Sequence, residues 1–291
     1  MRLTAQQISF FKQFGYLAMS KLFSAAEIAV ITEDFEYSIQ TFGGGDSHNH
    51  ERRTMFGGPI EHVPRFCSLI DDPRILGLAG SLLGEDFNYG GGDGNYYSGD
   101  TGWHPDGHWG QLFSAKIAFY LDPVTRDSGC LRVLPGSHHP ENSARLSANN
   151  PSQSLEQLGI LPRDYPGNVP LETVPGDVVM FNHDTWHASF GGGNRRRMFT
   201  LNLTRHCTTP ADLETFRSYF KVHSAGGYRL NIGGTFFEPM LATASASRMR
   251  HLQQPIAIHD ELFPEFAMRL PHEQQVAAMS EVIKKMQLAP A

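Results

Sequence analysis

The stretch GWHPDGHW, residues 102–109, packs two histidines, an aspartate and two tryptophans into eight positions. His104 and Asp106 are one residue apart, so in an extended segment both side chains leave the chain on the same face. That spacing suits two ligands on one metal ion, and a third has to come from elsewhere. FNHDTWHASF (181–190), which continues the apolar run DVVMF, offers His187. His183 in the same stretch and His108 beside the first pair are alternatives. Two histidines and one carboxylate on one face make a facial triad, which suits Fe(II) and leaves coordination positions open for a cosubstrate and oxygen. A lone HxD is equally a turn in which the histidine caps and the aspartate is solvated, so the rest of the chain has to decide.

The elements that must position these residues change character along the chain. Thr4 is placed to cap a short amphipathic helix ending at Phe14, with Gly15 as its stop. YLAMSKLF then predicts a strand, and Ser24 caps a longer helix over 25–42 that is halted by Gly43, Gly44 and Gly45. Residues 46–66 are polar and predict loop, followed by a helix over 72–84. Beyond Phe87 come short apolar runs punctuated by Gly and Pro, predicting strands at 87–97, 114–122, 129–134, 170–174, 177–182 and 196–203. GGGN at 191–194 predicts a tight hairpin into the last of these. It is no phosphate loop, since no helix follows it. After Pro210 the pattern turns helical again, in ADLETFRSYFK and EQQVAAMSEVIKKM. The fold class expected is an all-β core with flanking helices, a sandwich or jelly roll. We expect one domain over 1–291: N-terminal helices to about 86, a core over about 87–205 and a helical tail over about 206–291.

Composition narrows the partners. The chain has 291 residues, 40% hydrophobic and 19% charged, with a net charge of −6. That balance argues against a general nucleic-acid binder, which shows a basic excess. Cys67, Cys130 and Cys207 are widely spaced and include no CxxC, which fits reduced thiols in a cytoplasmic protein. The start, MRLTAQQISFFKQFGYL, is broken by Gln and Lys before a signal-peptide core forms. No run approaches the ~20 apolar residues of a membrane span. A cytoplasmic protein with no membrane partner is expected. Oligomeric state has no signature in the sequence.

Three segments in order carry a resemblance: HxD at 104–106, FYLDPVTRDSGCLRVLPGSHH at 119–139, and GDVVMFNHDTWHASFGGGNRRRMFTLNL at 176–203. Together they resemble the phytanoyl-CoA dioxygenase family of Fe(II)/2-oxoglutarate-dependent oxygenases. The resemblance implies a double-stranded β-helix, the cupin-like jelly roll, with Fe(II), 2-oxoglutarate as cosubstrate and O2. It implies His104, Asp106 and His187 as the metal ligands and catalytic residues. It also implies an arginine beyond the distal histidine that pairs with the far carboxylate of 2-oxoglutarate, a task suited to a planar guanidinium. Strand alternation puts Arg196, Met198, Thr200 and Asn202 on one face and Arg195, Arg197, Phe199 and Leu201 on the other. Arg196 fits the family pattern best, with Arg197 next. Ser189 matches a family hydroxyl that touches 2-oxoglutarate, and Asn95 and Tyr97 are expected to line the cosubstrate pocket. His138 and His139 belong to a scaffold turn. Asp106 stands where related halogenases carry Gly or Ala, so hydroxylation or another oxidation is expected, not halogenation.

The reaction implied converts 2-oxoglutarate to succinate and carbon dioxide while a small organic metabolite is oxidised. The pocket mouth is expected from 46–66, 89–101, 107–113 and the tail after 205, which hold His48, His50, Arg52, Arg53, Tyr96, Tyr97, Trp109 and Phe113. Aromatics beside arginines suit a small molecule with an apolar body and an anionic or polar handle. Two other classes compete. A zinc hydrolase would use the same ligands but would not need the arginine or Ser189. A non-catalytic cupin-like binding protein would keep the barrel without needing the full triad.

Overall fold

The computed structural model describes residues 1–107, 113–153, 158–227 and 231–288. Its first elements form where the sequence places them. Helix α1, Ala5–Phe14, starts with a capping box in which Thr4 and Gln7 satisfy each other's backbone N–H groups. It ends at Gly15, whose φ of 83° is the left-handed conformation that favours glycine. Strand β1, Tyr16–Met19, leads to α2, Ala25–Phe42, which opens with a second capping box of Ser24 and Glu27. Two further helices follow before the core, α3 at Pro64–Cys67 and α4 at Pro73–Leu83.

Two antiparallel sheets make the jelly roll. The large sheet runs β1, β9 (Val178–Asn182), β6 (Ser114–Tyr120), β11 (Arg196–Thr204), β4 (Asp93–Tyr97), β2 (Thr54–Gly57), with β3 (Asn88–Tyr89) also paired to β11. The small sheet runs β5 (Thr101–His104), β10 (His187–Ser189), β7 (Leu131–Val133), β8 (Val169–Leu171). Three adjacent strands of the large sheet obey the period of two. Ile117 and Phe119 of β6, Val178 and Met180 of β9, and Phe199 and Leu201 of β11 all pack into the cluster shared with α1, α2, α3 and α4. Their alternates Ala118, Tyr120, Val179, Phe181 and Met198 pack toward the small sheet with Leu131 and Val133. Both faces are therefore buried, and these strands read as near-continuous apolar runs.

The structure differs from the sequence reading at several points. The run 87–97 is two strands, because Gly90–Gly92 bridges to the β11 backbone through Gly90 N–H to Asn202 O and Asn202 N–H to Gly91 O. The stretch 46–66 is not all loop. Thr54–Gly57 adds an edge strand to β4, and only Thr54 and Phe56 are buried, too short an alternation to stand out. GGGN is no hairpin, since β10 and β11 lie in different sheets and the glycines carry the chain between them. Helix α5 at Pro140–Ala148 went unread, as it has no buried residue to mark a face.

The C-terminal part adds α6 (Pro210–His223), α7 (Glu238–Ala242), α8 (Ala246–Leu262) and α9 (His272–Leu288). α8, absent from the sequence reading, clamps the β3 region: His251 Nδ1 bonds Phe87 O at 2.7 Å, and Gln254 Oε1 accepts from Asn88 Nδ2 at 2.8 Å. Among the described residues, no helix is long and apolar enough to cross a membrane.

Candidate active site

The two strands that carry the histidines are neighbours. β5 and β10 pair antiparallel with His104 directly opposite His187, and the rings lie 4.4 Å apart. Asp106 follows the end of β5 in a bend, and its N–H donates to His183 O at 2.9 Å, which returns the carboxylate to the same place. One donor atom from each of His104, Asp106 and His187 lies within 4.8 Å of the others. His104 Nε2 is 3.7 Å from Asp106 Oδ1, and His187 Nε2 is 3.4 Å from Oδ2.

Each histidine is also oriented from behind. His104 Nδ1 bonds Gly102 O at 2.8 Å and His187 Nδ1 bonds Thr185 O at 2.9 Å. An Nδ1–H given to a carbonyl leaves the lone pair on Nε2, the tautomer a metal needs. Burial holds His187 down to about 4, against the pull of Asp106, so the imidazole is neutral. Burial alone would push the Asp106 carboxyl up. Lys116, with His187 and His183, outweighs it and holds the group well below the usual carboxylate range. Two imidazoles and a carboxylate whose donor atoms converge on one point are a donor set for a divalent metal.

His183 is buried but turned elsewhere, with Nε2 3.3 Å from Asn202 Oδ1, and it is not among the converging donors. His108 and Trp109 lie outside the described residues. His138 and His139 bond Lys12 O and Gln13 O, the last carbonyls of α1.

The triad sits in the wall of a cavity of about 630 Å³ between the sheets. Arg196, Met198, Thr200 and Asn202 line it, as β11 alternation requires. Arg196 is buried, and its Nε and Nη1 have no hydrogen-bond partner among the described residues. Gly129 and Gly192 make room for this guanidinium, since a Cβ on either would collide with Nη1. Its carbon lies 5.0 Å from the Tyr97 ring centroid. An unpaired buried guanidinium is costly and marks a place for an anion. Arg195 and Arg197 point the other way. Arg195 pairs with Glu36 at 2.9 Å, and Arg197 pairs with Asp122 at 2.5 Å and Glu36 at 3.1 Å.

Ser189 lines the cavity and its hydroxyl donates to Gly129 O at 2.9 Å. Tyr97 lines it too. Asn95 is fully buried in β4, its amide donating to Asp93 Oδ2 at 2.7 Å and its Oδ1 accepting from Arg53 Nε at 2.6 Å. Arg53 lies on the wall, whereas His48 is tied to Thr54 and Asn194 O.

Several wall residues escaped the sequence reading. Lys116 and Tyr120 come from β6, and Asp93 from β4. The lysine had a signal: it is the single charge in the apolar strand SAKIAFY, and a lysine is almost never buried without a partner. The far wall lies in the tail after 205, as expected for the pocket mouth, though no motif singled out its residues. It is made by the C-terminal part, where Tyr219, His223, Ile232, Phe237 and Met279 close the cavity.

Comparison with known proteins bears on the fold and the family. No curated protein matches the chain. Among solved structures, HygX from Streptomyces hygroscopicus with nickel and 2-oxoglutarate bound superposes with a TM-score of 0.57 at 16% identity, covering 72% of this chain and 90% of HygX. SnoK, a non-heme alpha-ketoglutarate-dependent carbocyclase from nogalamycin biosynthesis, gives 0.54 at 19% identity, covering 70% of this chain and 84% of its own. EctD from S. alaskensis with 2-oxoglutarate and 5-hydroxyectoine gives 0.53 at 21% identity, covering 70% of this chain and 76% of its own. These likenesses establish the shared fold. The family model described as phytanoyl-CoA dioxygenase matches residues 11–198, well over half the chain. With that match running from α1 to the first residues of β11 and taking in His104, Asp106, His187 and Arg196, the chain belongs to the phytanoyl-CoA dioxygenase family.

Proposed function

We propose that the protein is an Fe(II)/2-oxoglutarate-dependent oxygenase that oxidises a small organic molecule, releasing succinate and carbon dioxide. The observation that carries this reading is the pairing of two features in one cavity. The His104–Asp106–His187 donors converge on one wall, and Arg196, whose Nε and Nη1 have no hydrogen-bond partner among the described residues, sits in its glycine cradle on another. Iron fits the donor set, and a dicarboxylate fits the unpaired arginine. Bound iron with 2-oxoglutarate supplies the oxidising chemistry. His104, Asp106 and His187 hold the ion in one orientation. Arg196 takes the far carboxylate, Ser189 lies beside it, and Tyr97 packs against the guanidinium. Asn95 acts from behind the wall by fixing Asp93 and Arg53. The protein's remaining task is to exclude water and present a C–H bond.

The cavity volume suits a small or mid-sized molecule. Its C-terminal wall, with Ile232, Phe237 and Met279, offers an apolar surface to the body of such a substrate, and Arg53 offers a cation to its handle. A zinc hydrolase or an empty binding barrel has no use for a buried cation with two free donors.

Anaerobic Fe(II) plus 2-oxoglutarate should give the weak visible charge-transfer band of the chelate. Alanine at His104, Asp106 or His187 should remove both the band and succinate formation while the far-UV circular dichroism stays that of the parent. A metabolite screen scored by succinate above the uncoupled background then identifies the substrate. Absence of the band in the parent protein, or its persistence in His187→Ala with loss in His183→Ala, would refute this assignment of roles.

A further inference from the structure

We propose that Lys116 is a positioning residue for the metal centre. Its ammonium holds the Asp106 carboxylate and offsets part of its charge, and Asp93 divides that ammonium between two carboxylates. This balance sets how strongly the triad binds a divalent cation. The inference rests on the reading of His104, Asp106 and His187 as metal ligands.

Lys116 stands on β6 between β9 and β11, opposite Phe181 and Asn202, on the face that looks into the cavity. Its side chain is 13% exposed. Nζ lies 2.7 Å from Asp106 Oδ2 and 3.9 Å from Asp93 Oδ1. Asp93 is itself fixed. Thr200 Oγ1 donates to its Oδ1 at 2.6 Å, Asn95 Nδ2 donates to its Oδ2 at 2.7 Å, and Arg53 Nη2 stands 3.5 Å from Oδ2. The chain Thr200–Asp93–Lys116–Asp106 therefore runs from the middle of β11 to the triad through residues of β4 and β6.

Burying an ammonium in the centre of a sheet is expensive unless charge partners surround it. A hydroxyl or amide would orient the carboxylate equally well, so a lysine here adds charge. Two effects on a bound cation have the same sign. The ammonium repels the cation, and it draws electron density from the carboxylate that should bind it. Removing the lysine charge should tighten cation binding. Removing the Asp93 charge should leave the whole ammonium bearing on Asp106 and weaken it. A merely structural lysine predicts no such opposition.

The test is a titration of Mn(II) into the metal-free full-length protein, with free Mn(II) read from its EPR signal. Lys116→Met should bind about tenfold tighter and Asp93→Asn about tenfold weaker, the scale on which residues behind metal ligands act. Lys116→Arg, which keeps the charge, should stay within about threefold of the parent on the same scale. Shifts of the same sign in Lys116→Met and Asp93→Asn, no shift in either, or equal tightening by Met and Arg would each overturn the proposal. If Lys116→Met does not fold, Asp93→Asn decides: weaker binding at unchanged circular dichroism supports it, and unchanged or tighter binding refutes it. Mn(II) binding does not depend on 2-oxoglutarate. Opposed shifts without a charge-transfer band would keep this inference and remove the oxygenase reading. A normal band without the shifts would do the reverse.

Discussion

The two faces of strand β11 have the same backbone and opposite chemistry. One face presents Phe199, Leu201 and Leu203, none with any exposed area, and Phe199 stacks on Phe119 with centroids 4.6 Å apart. The other presents Arg196, Met198, Thr200 and Asn202 to the cavity. The packed face satisfies itself, because Phe199, Leu201 and Leu203 find apolar neighbours and Arg197 is paired with Asp122 and Glu36. The cavity face does not, because Arg196 Nε and Nη1 have no hydrogen-bond partner among the described residues. Stability and binding capacity are thus separated by one residue step along a single strand, and substitutions should sort accordingly.

The largest effect should come from the packed face. Phe199→Ala removes a ring that touches both Phe35 and Phe66 as well as Phe119, and should cost about 3–5 kcal/mol of stability in urea unfolding. Turnover per folded molecule should hardly change. A variant of parental stability would show that the helical layer does not anchor this strand.

The cavity face should respond in the opposite sense. Arg196→Ala should raise the half-saturating 2-oxoglutarate concentration by about 2–3 kcal/mol, roughly 30- to 150-fold. Its thermal stability without ligand should be unchanged or higher, since an unpaired buried charge is gone. Arg195→Ala and Arg197→Ala should leave the 2-oxoglutarate requirement near the parental value and lower the melting temperature instead, because Glu36 and Asp122 lose their partners. Equal 2-oxoglutarate effects at all three positions would erase the distinction between the faces.

The smallest effect concerns pH, and it belongs to the packed region. His62 stacks on Phe42 with centroids 4.7 Å apart and is held down to about 3, chiefly by burial and then by His272. Unfolded, this histidine takes a proton near pH 6.5; folded, it resists until about 3. The unfolded state therefore binds more protons between those values, and stability is lost as pH falls through that window. His62→Phe should flatten the slope by up to about 1.4 kcal/mol per pH unit. Glu61, pushed up to about 7 by burial, acts in the opposite direction from 4.5 upward, so the difference between variant and parent is the quantity to measure. Identical slopes would mean that His62 is already protonated in the fold.

Much of the site was legible from residue types because metal chemistry tolerates few of them. HxD spacing, a later histidine after an apolar run, and alternation along RRRMFTLN depend on local geometry, which a strand imposes without help from the rest of the chain. The caps at Thr4 and Ser24 were legible for the same reason, as each is closed by a residue three positions on. Asn95 shows where local reasoning stops: it lies in the right strand, but its amide is held by Asp93 two residues back and by Arg53, which lies just before the neighbouring strand β2.

The sequence by itself determined the triad candidates and which residues of 195–202 share a face, since both follow from periods of a few residues; the choice of Arg196 among the three arginines and of a jelly roll over a sandwich rested on the family resemblance. Only the tertiary structure decided that GGGN crosses between sheets, that Gly129 and Gly192 hollow out the Arg196 cradle, and that Lys116 reaches both Asp106 and Asp93. It also decided that Tyr219, Phe237 and Met279 close a cavity whose HxD pair, His104 and Asp106, lies more than 100 residues earlier. Those contacts are set by packing between segments distant in the chain, and no spacing rule in one sequence encodes which distant side chains will meet.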